Sequence, residues 1–181
     1  MNTIGEKITY TSDFTVDAAV LANENRTLRF GIYDSVTTDG YFFGIDTGTP
    51  VTTTAIISED ATGAVIIGGS PLSTVVSSSD PDLVVDTDDR FIVTLELEVT
   101  NTAEITATAN FFRNGILEGT LTGVDTTPLT TFDRYSIRVG DTSTVAVVDP
   151  ATRLTYIIPE PSVFGLIGLG GLALIFRRRR G

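Results

Sequence analysis

Residues 90–100 read RFIVTLELEVT. Val93, Leu95, Leu97 and Val99 alternate with Thr94, Glu96, Glu98 and Thr100. A period of two puts the aliphatic set on one face of a strand and the polar set on the other. Asn101-Thr102 turns the chain, and residues 102–112 repeat the period with Ala103, Ile105, Ala107, Ala109 and Phe111 inward. Arg113-Asn114-Gly115 then predicts a tight hairpin, because Asn and Gly accept positive φ. Residues 116–121 return. Consecutive strands joined by turns, with no helical period, point to an antiparallel sheet.

The same pattern extends outward. Residues 7–16 alternate through Ile8, Tyr10, Phe14 and Val16, and residues 18–25 read as a loop. Residues 27–34 alternate through Leu28, Phe30 and Ile32. Asp39-Gly40 predicts a tight hairpin turn, and residues 41–46 return. Tyr33, Tyr41, Phe42 and Phe43 are placed to pair across it. Short β-branched runs follow at 51–58 and 64–67. Residues 70–89 are the least regular, with a loop predicted over 77–82. Beyond the central hairpin, strands are predicted at 132–139 and 145–148. About ten short strands before residue 159 predict an all-β antiparallel sandwich.

Composition narrows the chemistry. The 181 residues contain no Cys, no His and no Trp. Disulfide frameworks and thiol chemistry are excluded, as is a Ser-His-Asp triad within the chain. Of 12 basic and 23 acidic residues, the last 23 positions hold four arginines and one glutamate. The rest therefore carries 8 basic and 22 acidic residues, a net −14. Such a domain repels nucleic acid and anionic lipid.

Those last 23 positions have three parts. Pro159-Glu160-Pro161 comes first. An uncharged run from Ser162 to Phe176, SVFGLIGLGGLALIF, follows, and then Arg177, Arg178, Arg179, Arg180 and Gly181. As a helix the run would be roughly 22 Å long, a short membrane span that arginine stems extend to the headgroups. Gly165, Gly168 and Gly171 mark a stripe where another helix can approach closely. The arginines stay on the cytoplasmic side, so the acidic domain should lie across the membrane.

This order resembles the PEP-CTERM sorting signal. Pro159, Glu160 and Pro161 match its motif, Ser162 to Phe176 its helix, and Arg177 to Arg180 its basic end. The resemblance implies a Gram-negative bacterium with an exopolysaccharide-producing envelope. It also implies an exosortase that recognises the tail and cleaves near the motif. The protein is then a substrate, held in the inner membrane in transit with its domain on the periplasmic side. After processing it belongs to the cell surface or extracellular matrix. On this reading residues 1–150 form the ectodomain, 151–158 a linker and 159–181 the signal. Residues 1–12 show no charged n-region followed by an apolar run, so upstream residues are expected to be missing. The order of motifs in the domain also resembles the concanavalin-like jelly rolls.

Three sets of residues are candidates for chemistry. Glu96 and Glu98 share a face roughly 7 Å apart. They supply two of the three carboxylates in the Glu-x-Asp-x-Glu pattern that retaining glycosidases of the jelly-roll fold resemble. The alternative for this pair is a solvated outer face. Asp80, Asp82, Asp86, Asp88 and Asp89 are hard oxygen ligands for calcium, or else a solvated acidic loop. Tyr33, Tyr41 and Phe43, with Phe42, offer a sugar-binding surface or cross-strand packing. Three functions remain open: a non-enzymatic envelope or matrix protein, an exopolysaccharide-binding lectin-like module, and a glycoside hydrolase. The first, with no catalytic residue and no cofactor, is the leading expectation.

Overall fold

The computed structural model describes residues 1, 3–16, 26–47, 54–60, 73–79, 89–139 and 147–158. Among them are ten strands and no helix: β1 (Lys7–Val16), β2 (Arg26–Tyr33), β3 (Gly40–Thr47), β4 (Thr54–Asp60), β5 (Ser73–Ser79), β6 (Arg90–Asn101), β7 (Glu104–Arg113), β8 (Ile116–Asp125), β9 (Arg134–Val139) and β10 (Val147–Ile157). They form two five-stranded antiparallel sheets, ordered β10-β1-β6-β7-β8 and β5-β4-β3-β2-β9. The expected stretches 18–25, 64–67 and 162–176 lie outside the described residues. No helix among the described residues is long and apolar enough to cross a membrane.

The alternation in 90–100 decides the packing. Phe91, Val93, Leu95, Leu97 and Val99 are buried, and the residues between them are not. Ile8, Tyr10 and Phe14 of β1 join them, as do Ile105, Ala107, Ala109 and Phe111 of β7. Leu28, Phe30, Ile32, Tyr41, Phe43, Ile45, Ala55 and Ile57 close the core from the other sheet. A run of rings crosses the interior. Phe14 lies 4.9 Å from Phe30 and 5.6 Å from Phe91, which lies 5.5 Å from Phe111. Ala103 sits exposed in the β6–β7 turn rather than inward, because the strand begins one residue later.

The Asn-Gly hairpin forms as predicted, with Asn114 at φ 51° and Gly115 at φ 84°. The Asp-Gly turn does not. Residues 34–39 form a longer connection in which Thr38, at φ 65°, takes the left-handed position. Asp34 organises it by accepting the Val36 amide at 2.7 Å. Gly40 instead opens β3 opposite Tyr33. A Cβ there would strike the Ile32 carbonyl and sit 2.7 Å from the Tyr33 Cβ. Close approach of backbones, not turn conformation, requires glycine.

Two other stretches differ from expectation. Residues 77–79, predicted as loop, finish β5 at the edge of their sheet, paired with β4. Residues 151–157, predicted as linker, continue β10 along β1, from Asp13↔Ala151 to Lys7↔Ile157. The register shifts between Asp13 and Thr15, so that Asp149 and Pro150 together oppose Phe14. An edge strand with a bulge is where a sheet tolerates proline.

Candidate functional site

Glu96 and Glu98 point away from the core on β6, and β1 brings Lys7 opposite Glu98. The Lys7 ammonium lies 3.0 Å from Glu96 Oε1 and 2.9 Å from Glu98 Oε2. The hydrogen bonds Lys7 donates to Glu98, then to Glu96, raise its pKa above the ordinary lysine value. Around them the face is a polar ladder. Asn110 donates to Thr94 at 3.1 Å, and Thr120 donates to Asn110 Oδ1 at 2.7 Å. Both carboxylates are thus clasped by one cation on a half-exposed sheet face. A glycosidase pair instead needs one carboxyl held protonated in a cleft.

Of the acidic stretch, Asp89 lies among the described residues. Asp89 takes an ion pair from Arg113 at 2.5 Å and a hydrogen bond from Asn114. It therefore fastens the central hairpin to the start of β6. Those bonds, first that from Asn114, lower its pKa below the usual aspartate value. Asp80, Asp82, Asp86 and Asp88 lie outside the described residues. Among the described residues no three Asp, Glu, His or Cys side chains are grouped to hold a metal.

The aromatic candidates separate. Tyr41 and Phe43 are fully buried between the sheets and offer no ligand surface. Phe42 points to the opposite face, fully buried, with the Arg29 guanidinium 5.0 Å above its ring. Tyr33 is half-buried on that same outer face. The Tyr41 phenol donates to Asp125 Oδ2 and accepts the Leu129 amide at 3.2 Å. Burial, then Asp125, pushes its pKa well above the tyrosine range. Asp125 Oδ1 holds the Thr127 amide at 2.9 Å. Tyr41 and Asp125 therefore tie the segment between β8 and β9 to the core. Glu59, opposite Tyr41 in the register, is only 7% exposed. Burial first, then Asp125 and Asp39, raises its pKa to about 7.

The sequence did not point to a cleft of about 460 Å³ on the side of the sandwich. Met1, Ile8, Thr130, Thr131, Phe132, Leu154 and Tyr156 line it. It opens between β10, an edge strand, and the segment entering β9, the edge strand of the other sheet. Tyr156 is 48% exposed there, and Tyr135 of β9 is equally open beside the Tyr10 ring, 6.0 Å away. Tyrosines on isolated edge strands read in sequence as packing, so only the facing of the two edges reveals them.

β10 ends at Ile157, and the tail follows it directly after Ile158. That tail is now identified. Residues 158–180 match the PEP-CTERM protein-sorting motif. The PEP-CTERM signal marks the chain as an exosortase-targeted, envelope-directed protein, with an exosortase as its processing partner. No curated protein matches the sequence. Among solved structures, the carbohydrate binding module CBM66 from Bacillus subtilis is similar at 13% identity and a TM-score of 0.46, over 83% of each chain. A scytalido-glutamic peptidase with a peptide-based transition state analog is similar at 12% identity and a TM-score of 0.30, over 84% of this chain and 76% of that one. Likenesses this distant carry no argument about activity.

Proposed function

We propose that the protein is a non-enzymatic component of the envelope or extracellular matrix, exported and handed to an exosortase by its tail. The match of residues 158–180 to the PEP-CTERM sorting motif carries this reading. The run Ser162 to Phe176 anchors the chain in the inner membrane of a Gram-negative cell. Arg177 to Arg180 hold the cytoplasmic side, and the acidic sandwich, of jelly-roll type, stands in the periplasm. Pro159, Glu160 and Pro161 are recognition residues. The domain ends with β10, and the signal begins almost at once. Intact mass and fractionation in the native host test this, with Pro159, Glu160 and Pro161 changed together to alanine. The wild type should lose the apolar run and the arginines, while the variant stays full-length in the membrane. If both stay full-length in the membrane, the tail is a plain anchor and the reading fails.

A second reading is favoured by the side cleft with its half-exposed tyrosine: a carbohydrate-binding module for exopolysaccharide. Binding of the chain to a panel of purified polysaccharides supports it, and absence of binding across the panel sinks it.

A further inference from the structure

We infer that the side cleft receives a neutral sugar ring of a polysaccharide; this rests on the second reading above and gives it a site. The chemistry of the lining selects the ligand. None of the seven lining side chains carries a formal charge. Ile8 and Leu154 make an apolar floor, and Tyr156 gives a half-exposed aromatic wall. Thr130 and Thr131 line the cleft on the other sheet's side. A pyranose has this same division, an apolar C–H face ringed by hydroxyls. Its volume suits a cleft of about 460 Å³, which lies within the usual range of small-ligand sites, roughly 300–1,000 Å³.

A second observation lies further along the same pair of strands. Tyr10 pairs with Leu154 and Ser12 with Thr152, two and four residues along the register from Ile8 and Tyr156. The Tyr10, Ser12 and Thr152 hydroxyls are all buried without a hydrogen-bond partner. Ser12 and Thr152 stand near enough to affect the phenol, whose pKa burial pushes up to about 12, yet none closes a bond of proper geometry. Each hydroxyl can donate and accept. Buried hydroxyls of native proteins find partners in ligand, water or protein. Three of them in the strand pair that continues the cleft floor suit a polyhydroxylated guest.

Charge weighs against the acidic alternative, although the Met1 ammonium, held by the Thr130 carbonyl, also borders the cleft. The Glu6 carboxylate, which holds the Thr3 amide at 3.0 Å, interacts with the Tyr156 hydroxyl at the rim. The phenol's pKa is raised, first by desolvation and then by Glu6. A uronic acid or sulfated sugar would meet this negative charge and the domain's overall excess of acid. The ligand would also rest against β10, the strand that runs into the sorting signal.

The test uses the full chain in a detergent without a sugar headgroup, with dextran, mannan, xylan and β-1,3-glucan as neutral probes and alginate as the acidic one. Affinity electrophoresis and calorimetry are run on wild type, Tyr156→Ala and the volume-preserving Thr152→Val. At least one neutral polymer should bind, and Tyr156→Ala should weaken it about tenfold, the loss of one aromatic stacking contact. Thr152→Val should weaken it too, and its buried hydroxyl makes thermal unfolding a necessary control. Neutral binding untouched by both folded variants overturns the cleft while leaving the carbohydrate-binding reading intact. Binding of alginate alone also overturns the cleft. Binding of nothing overturns the cleft and the reading together.

Discussion

Glu59 shows what a single side chain costs when it faces inward. It continues the inward series Ala55, Ile57 on β4 and ends beside Tyr41 and Asp125. Burial and two neighbouring carboxylates hold its pKa at about 7, against an ordinary 4.5. The folded protein therefore keeps the proton over a pH range in which the unfolded chain has lost it. Stability from this group is full below about pH 4.5 and is lost as pH rises through about 7. Denaturant unfolding should give a free energy higher at pH 5 than at pH 8 by on the order of 2 kcal/mol. Glu59→Gln should flatten that profile, and an unchanged slope would remove Glu59 as its source. None of this was legible from residues 51–58 as a β-branched run, since the neighbours that shift Glu59 come from β8 and from the turn before β3. Glu96 and Glu98 teach the same lesson. Their shared face followed from spacing, but the lysine that clasps them arrives from β1, 89 and 91 positions earlier.

Individual strands were legible where one face meets the core and the other meets water. β1, β6 and β7 came out close to their observed bounds because alternation and burial agree. Edge strands were harder to read. β5 carries four serines and β10 carries Pro150, both unfavourable in a strand interior, yet both strands lie at sheet edges. The turn before β3 was misplaced because an Asp-Gly pair signals positive φ, whereas Gly40 answers the crowding of β2 against β3. Gly40→Ala should therefore destabilise by about 1–3 kcal/mol through overpacking. Gly115→Ala, in open space at φ 84°, should cost about 1 kcal/mol through backbone strain alone. Chemical denaturation of the two variants separates the mechanisms, and equal small losses would count against the close-approach role of Gly40.

At the scale of the molecule, the strand that closes one sheet is also the one that leads to the sorting signal. β10 pairs with β1 from Val16 to Lys7, and Leu154 packs against the core. Trimming the chain after residue 158 should leave thermal unfolding unchanged. Trimming after 146 should strip β1 of its partner and remove several kcal/mol, a large part of the 5–15 kcal/mol typical of a domain. Equal midpoints for both truncations would show that β10 contributes little. If the first prediction holds, removal of the signal beyond residue 158 leaves the sandwich whole. The sequence by itself determined the all-β class, the central hairpin and the destination signal. Each is written in local order: a period of two, an Asn-Gly pair, and a proline–apolar–arginine succession. Only the tertiary structure decided which carboxylates are neutralised, which aromatics are core, that β10 is a strand, and that two sheet edges open a cleft. Those depend on contacts between residues tens of positions apart, and no local pattern encodes which distant partner will be there.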